Sequence, residues 1–120
     1  MGIYIIVFLS VFCILLLIAG KILSKSFKYI VSDIEKAKRL ASEGKNDSAI
    51  EKFRNILSKN KVDENERAKV HALIGDCYFN TEEYPFAIVE YRHALDEGYY
   101  SPEVVLSLGK SLSKIGKNEE

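Results

Sequence analysis

The sequence has no tryptophan, one methionine, two prolines, two histidines and two cysteines. Cys13 and Cys77 stand far apart in unlike surroundings, which excludes a disulfide framework and a paired-cysteine metal spacing. Net charge is zero, from 17 basic and 17 acidic residues, and no lysine or arginine block suits a phosphate backbone. Nucleic acid is therefore not an expected partner. No glycine-rich phosphate loop is present. His71 and His93 have no evident nucleophile or oriented carboxylate beside them. Cys77 falls on an apolar helical face and reads as a small buried hydrophobe. The acid pairs Asp63–Glu64, Glu82–Glu83 and Asp96–Glu97 fall near expected helix ends, where capping and solvation account for them. The sequence thus implies no catalytic residue, no metal site and no cofactor.

The most informative absence is local. The first twenty residues carry no charge, and the other hundred carry all thirty-four charged side chains. The apolar run opens at Ile3 and closes at Gly20. As a helix, twenty residues span about 30 Å, the thickness of a bilayer's hydrocarbon layer. Thirteen of residues 3–19 are Leu, Ile, Val or Phe, so insertion gains about 4 to 8 kcal/mol. A cleaved leader would need a basic start, a shorter run and small residues before the cut. Here nothing basic precedes the run, and Leu17 and Ile18 occupy the pre-cleavage places. Phe12 before Cys13 does not suit lipid attachment, and Ile6 does not suit myristoylation. An uncleaved transmembrane anchor over residues 1–24 is expected, followed by a basic juxtamembrane linker at 25–32. Lys21, Lys25, Lys28, Lys36, Lys38 and Arg39 all follow the run, so the positive-inside rule puts the N-terminus outside and the rest in the cytoplasm. The Lys, Ile and Asn content fits an AT-rich bacterial genome, which would make this membrane the inner one. Asn46-Asp47-Ser48, a formal glycosylation sequon, then reads as a polar turn.

The remaining chain repeats itself. AKRLASEGKNDSAIEKFRNIL, from Ala37, aligns with GDCYFNTEEYPFAIVEYRHAL, from Gly75. Ala37 matches Gly75, Leu40 matches Tyr78, Ala49 matches Ala87, Phe53 matches Tyr91 and Leu57 matches Leu95, each at an offset of 38. A third, partial copy follows at an offset of 34, where Ile74-Gly75 recurs as Leu108-Gly109 and Tyr78 as Leu112. Within each copy the apolar residues keep helical spacing. Helix starts are marked by Ser32 with Glu35 and Asp63 with Glu66 as capping boxes, by Pro85 and Pro102 in first turns, and by Ser101 as a cap. Gly44 and Gly98 stand where helices should stop.

This pattern resembles the tetratricopeptide repeat, with its period of about 34 residues and two helices per copy. The second copy carries the resemblance best, at Ile74, Gly75, Tyr78, Tyr84, Ala87, Tyr91, Ala94 and Leu95; His71 stands where a tryptophan is common. In the first copy Lys36 replaces the usual leucine, and its linker, SKNKVDENERAKV, is four residues too long. The fold expected is all-α: a single N-terminal transmembrane helix, then a short superhelical stack of about two and a half repeats over residues 33–120. Repeat 1 would cover about 30–60, repeat 2 about 64–98, and a half repeat about 101–116. The last helix is expected to turn Val105, Leu108, Leu112 and Ile115 inward and Lys110, Ser111, Lys114 and Lys117 outward. Because such units need neighbours to cover their apolar faces, a homo-oligomer or bound partner would add stability.

In that family the first helix of each pair lines a concave groove. Carried over, the groove shows Ile34, Lys38, Lys69, Ala72, Asp76, Phe79, Asn80, Leu106 and Lys110. Lys38, Lys69, Asp76, Phe79, Asn80 and Lys110 are the candidate contacts to a partner's peptide or helix. The family's clamp for a chaperone's C-terminal carboxylate would need Ile34, Lys38, Leu73, Glu103 and Ser107 to supply it. Only Lys38 is positive and Glu103 repels, so that ligand is not expected. The function implied is a membrane-anchored adaptor for protein–protein interaction. The alternative is a small accessory subunit of a membrane complex, recognised through its transmembrane helix.

Overall fold

The computed structural model describes residues 1–59 and 62–118, with Lys117 and Asn118 described by backbone alone. The linker residues Asn60 and Lys61, the outward side chain expected of Lys117, and the terminal Glu119 and Glu120 lie outside the described residues. The chain is all-helical, as expected, with α1 (Gly2–Ser42), α2 (Asn46–Ser58), α3 (Glu64–Asn80), α4 (Tyr84–Asp96) and α5 (Pro102–Asn118). It divides into two units, Met1–Ser32 and Asp33–Glu120.

The first unit is helix alone. Every side chain of residues 1–20 is exposed, and α1 is long and apolar enough to cross a membrane. Lys21, Lys25 and Lys28 are exposed just beyond the apolar run, and their spacing puts them on one helical face. Residues 25–32, expected as a basic linker, are helical. The helix start expected at Ser32 does not occur, because α1 is unbroken to Ser42. No glycine or proline lies between Gly20 and Ser42 to interrupt it.

In the second unit the turns follow local chemistry. Gly44 adopts φ +82°; its N–H donates to Ala41 at 3.1 Å and the Lys45 N–H donates to Leu40 at 2.9 Å. That pair of bonds is the Schellman motif, and it satisfies carbonyls left open at the helix end. Gly98, at φ +94°, ends α4 in the same way through Leu95 and Ala94. Glu82 does so at the end of α3, at φ +62°, through Phe79 and Tyr78. Gly44 and Glu82 are 38 residues apart, so the α1–α2 and α3–α4 turns are copies, one built without glycine. At the start of α3 the Asp63 side chain accepts from the Glu66 N–H at 2.8 Å, as its cap pattern predicts. The hydroxyl of Ser101, the expected α5 cap, donates to the Glu103 carboxylate.

Packing follows the repeat. All five aligned pairs share their burial: Ala37 with Gly75, Ala49 with Ala87 and Phe53 with Tyr91 are buried, while Leu40 with Tyr78 and Leu57 with Leu95 are half-buried. Helix α3 packs against α2, α4 and α5, and α4 packs against α5. The Tyr91 ring lies against α3 at Gly75, where an added Cβ would fall 2.7 Å from ring atom Cε1. Around it gather Ala72, Ala87, Ala94 and Val104. Fully burying a side chain of this size contributes about 1.5–3 kcal/mol. Between α2 and α3, the Arg67 guanidinium donates to the Leu57 carbonyl at 3.1 Å; Lys59, just past α2, donates to Asp33 of α1 at 3.3 Å.

Helix α5 corrects one expectation. Val104 and Ser111 are buried and Leu108 and Ile115 half-buried, whereas Val105 and Leu112 are exposed. Apolar residues at 104, 105, 106 and 108 leave the inward face ambiguous by period alone. Ser111 tolerates full burial because its hydroxyl donates to the Ser107 carbonyl at 2.8 Å. Lys110 and Lys114 are outward, as expected.

Candidate partner-binding face and the polar network behind it

Lys69, Ala72, Asp76, Phe79 and Asn80 recur at helical spacing along α3 and share one face. Ala72 is buried in the core and serves as floor, not as lining. Lys69 is half-buried and donates to Glu66 at 3.3 Å. Asn80 is exposed at the end of α3. Phe79 is half-buried, its ring edge-on to Tyr84 at 5.5 Å. Asp76 is exposed along its outer side, while one inner oxygen accepts the Tyr91 hydroxyl at 2.7 Å. Burial of that inner side raises the Asp76 pKa, opposed by the Tyr91 hydrogen bond. Lys110 is exposed on α5 beside exposed Leu106. Lys38 is exposed on α1 and donates to Glu35 at 3.2 Å. The structure thus gathers Lys69, Asp76, Phe79 and Asn80 on α3, with Lys110 on its neighbour α5.

Asp76 joins this face to the interior. Burial first, then the hydrogen bond to Asp76, pushes the Tyr91 pKa far up; the Ser107 hydroxyl acts in the opposite sense. One phenol therefore meets polar groups of α3 and α5 from a position on α4. Neighbouring Cys77 is buried, and its thiol is pushed up to about 11 by burial and by the Asp76 charge. Such a thiol is inert at neutral pH.

A second polar group was not expected from the sequence. Glu90, 6 % exposed, accepts from Arg54 at 3.0 Å through Oε1 and meets His71 Nδ1 at 2.7 Å through Oε2. Arg54 also donates to the Tyr78 hydroxyl at 3.2 Å. His71 stacks on His93 at 5.1 Å, and its Nε2 lies 3.9 Å from Glu97. Burial pushes the Glu90 pKa up, but the bonds from His71 and Arg54 outweigh it and hold the carboxyl below its ordinary value. Little in the residue pattern signals this cluster, because its members are 19 and 36 positions apart. The signal was His71, which falls in helical register with Ile74 and Tyr78 on the apolar face of α3. Chemically, Glu90 orients His71, yet among the described residues no hydroxyl or thiol is hydrogen-bonded to that imidazole. The arrangement holds α2, α3 and α4 together. No group of His, Cys, Asp and Glu among the described residues could hold a metal ion.

The chain matches no model of a known protein family and no curated protein.

Proposed function

We propose that this chain is a membrane-anchored adaptor whose helical hairpins are of the tetratricopeptide-repeat kind. It holds a peptide or helix of a partner protein against the α3 face. The matched burial of five residue pairs at a spacing of 38 carries this reading, because a repeated packing unit creates a repeated open face. Lys69, Asp76, Phe79 and Asn80, with Lys110 and Lys38 on neighbouring copies, offer the mixed charge and apolar contact that suit an extended segment. The apolar start of α1 tethers the repeats to a bilayer, raising their local concentration for a partner in the same membrane. The lysines at 21, 25 and 28 favour a cytoplasmic repeat domain with the N-terminus outside, at the bacterial inner membrane.

Twenty exposed, uncharged residues at the start of α1 favour a second reading. An accessory subunit would be recognised through that helix, with Gly20 and Ser24 giving a small-residue contact.

One experiment separates the two. A photo-crosslinking residue is placed at Asn80 of the full chain in its native membrane. The adaptor reading expects a discrete protein adduct that Lys69→Glu weakens. The adduct should persist when residues 3–20 are exchanged for an unrelated span. An adduct that needs the native span supports the subunit reading. No adduct from positions 38, 80 or 110, together with strong adducts from within the span, overturns the adaptor.

A further inference from the structure

Helix α1 stays apolar along one side after its uncharged run ends. Lys21, Lys25 and Lys28 are spaced four and three apart, which places them within an arc of about 60°. Leu23 and Phe27 fall on the opposite side of the helix, 70 % and 62 % exposed. The apolar stripe therefore runs about two turns further along that side than along the side that becomes charged at Lys21. Exposed lysines on one face and exposed large hydrophobes on the other are the pattern of a helical segment at a bilayer's interface.

The three lysines also stand apart in charge. No acid precedes Asp33 in the sequence. The next lysines are already paired, Lys36 with Asp33 at 3.8 Å and Lys38 with Glu35 at 3.2 Å. Lys21, Lys25 and Lys28 are exposed and have no ion pair among the described residues. Along the axis, Lys28 lies about 10 Å beyond Lys21. A headgroup layer adds about 5–7 Å to each side of the hydrocarbon, and an anionic surface is felt for about 8 Å more at physiological salt. With the uncharged run across the hydrocarbon, all three ammonium groups fall inside that zone.

We infer that the lysine face of α1 binds anionic phospholipid headgroups, with Leu23 and Phe27 against the acyl chains on the other side. The ligand is a phosphodiester that keeps its net negative charge. A zwitterionic headgroup suits the face less, because its own ammonium group repels the lysines. Lipid is favoured over an acidic partner protein because the two faces call for negative charge and hydrocarbon at one depth, and the edge of an anionic bilayer supplies both. Each lysine near such a surface strengthens attraction about fivefold. The inference rests on the proposed crossing of the bilayer by α1. It is independent of the α3 face and of which side of the membrane the rest of the chain occupies.

The test uses the full chain reconstituted in phosphatidylcholine bilayers with a trace of spin-labelled phosphatidylglycerol or spin-labelled phosphatidylcholine. Electron paramagnetic resonance reads the fraction of each lipid held at the protein. Phosphatidylglycerol should be favoured about fivefold or more, and the preference should shrink at about 1 M salt. Lys21→Gln, Lys25→Gln and Lys28→Gln together should bring the ratio near one. Lys36→Gln with Lys38→Gln should leave it unchanged. A ratio near one for the native chain overturns the inference, as does a preference that survives the triple substitution or falls equally with the double one. A ratio near one in pure lipid, with a protein adduct from a photo-crosslinker at position 25 in native membranes, assigns the face to a partner instead. A chain that stays in the aqueous phase and holds neither lipid overturns the anchor reading itself.

Discussion

Two glycines in equivalent places should respond oppositely to the same substitution. Gly75 and Gly109 both lie inside helices, so replacing either with alanine gains about 1 kcal/mol of helix propensity. At Gly109 nothing lies within 4 Å of the new methyl, and Gly109→Ala should stabilise by about that amount. At Gly75 the methyl would come 2.7 Å from Cε1 and 2.8 Å from Cδ1 of Tyr91. That ring is fully buried, and its hydroxyl is held by Asp76, so it is not the free end of a flexible chain. Overpacking of this kind costs about 1–3 kcal/mol. Less the propensity gain, Gly75→Ala should destabilise by up to about 2 kcal/mol. Propensity cancels in the comparison, leaving a difference of about 1–3 kcal/mol between the variants as the ring contact itself. Urea unfolding of the chain in detergent, followed by far-UV circular dichroism, reads both values. Equal shifts for the two variants, or stabilisation by Gly75→Ala, would refute the packing described for α3 and α4.

Glu82 should show the cost of a left-handed residue with a side chain: Glu82→Gly is expected to stabilise by about 1 kcal/mol in the same unfolding assay. Glu90 carries an acid-sensitive contribution. Its folded pKa lies below the ordinary value, so its stabilisation is complete above about pH 4.3 and is lost as pH falls through the depressed folded value. Glu90→Gln should cost about 2–3 kcal/mol at neutral pH and flatten the acid limb of a stability–pH curve; an unchanged limb would place the acid response elsewhere. Asp76 works in the opposite sense. Its raised folded pKa gives a contribution complete below the unfolded pKa and lost as pH rises through the folded one. Asp76→Asn still accepts the Tyr91 hydroxyl and should be neutral or stabilising at pH 7; a large loss there would contradict it. Cys77, with its thiol pushed up to about 11, should resist maleimide at pH 7 until urea unfolds the packed helices.

The sequence revealed most where one residue acts on its own backbone. Gly44, Gly98, Asp63 and the prolines mark turns and caps whose chemistry is local, and each ends or begins a helix as read. The buried faces of α2, α3 and α4 were legible because Ala49, Phe53, Ala87 and Tyr91 recur at a fixed offset. Reading faltered where a residue's environment depends on distant partners. Glu90 tolerates burial because Arg54 pairs with it and His71 meets its other oxygen, from two other helices. Ser111 replaces a hydrophobe because Ser107 satisfies its hydroxyl, and Val105 with Leu112 face outward although apolar. Ser32 has the form of a helix start, yet lies within α1, since a capping pattern cannot stop a helix already running through it. Of the candidate contacts, Lys69, Asp76, Phe79 and Asn80 could be grouped from spacing on α3. That Asp76 also holds Tyr91 depends on a contact 15 positions away.

The nesting of ring on glycine can be observed directly by nuclear magnetic resonance of the isotope-labelled chain in micelles. Strong cross-relaxation is expected between the Gly75 α-protons and the Tyr91 ring protons, with the Gly75 signals shifted by the ring current. The Gly109 α-protons should show no aromatic contact. Missing cross-peaks at Gly75, or an unshifted Gly75 signal, would contradict the packing from which the adaptor reading is argued.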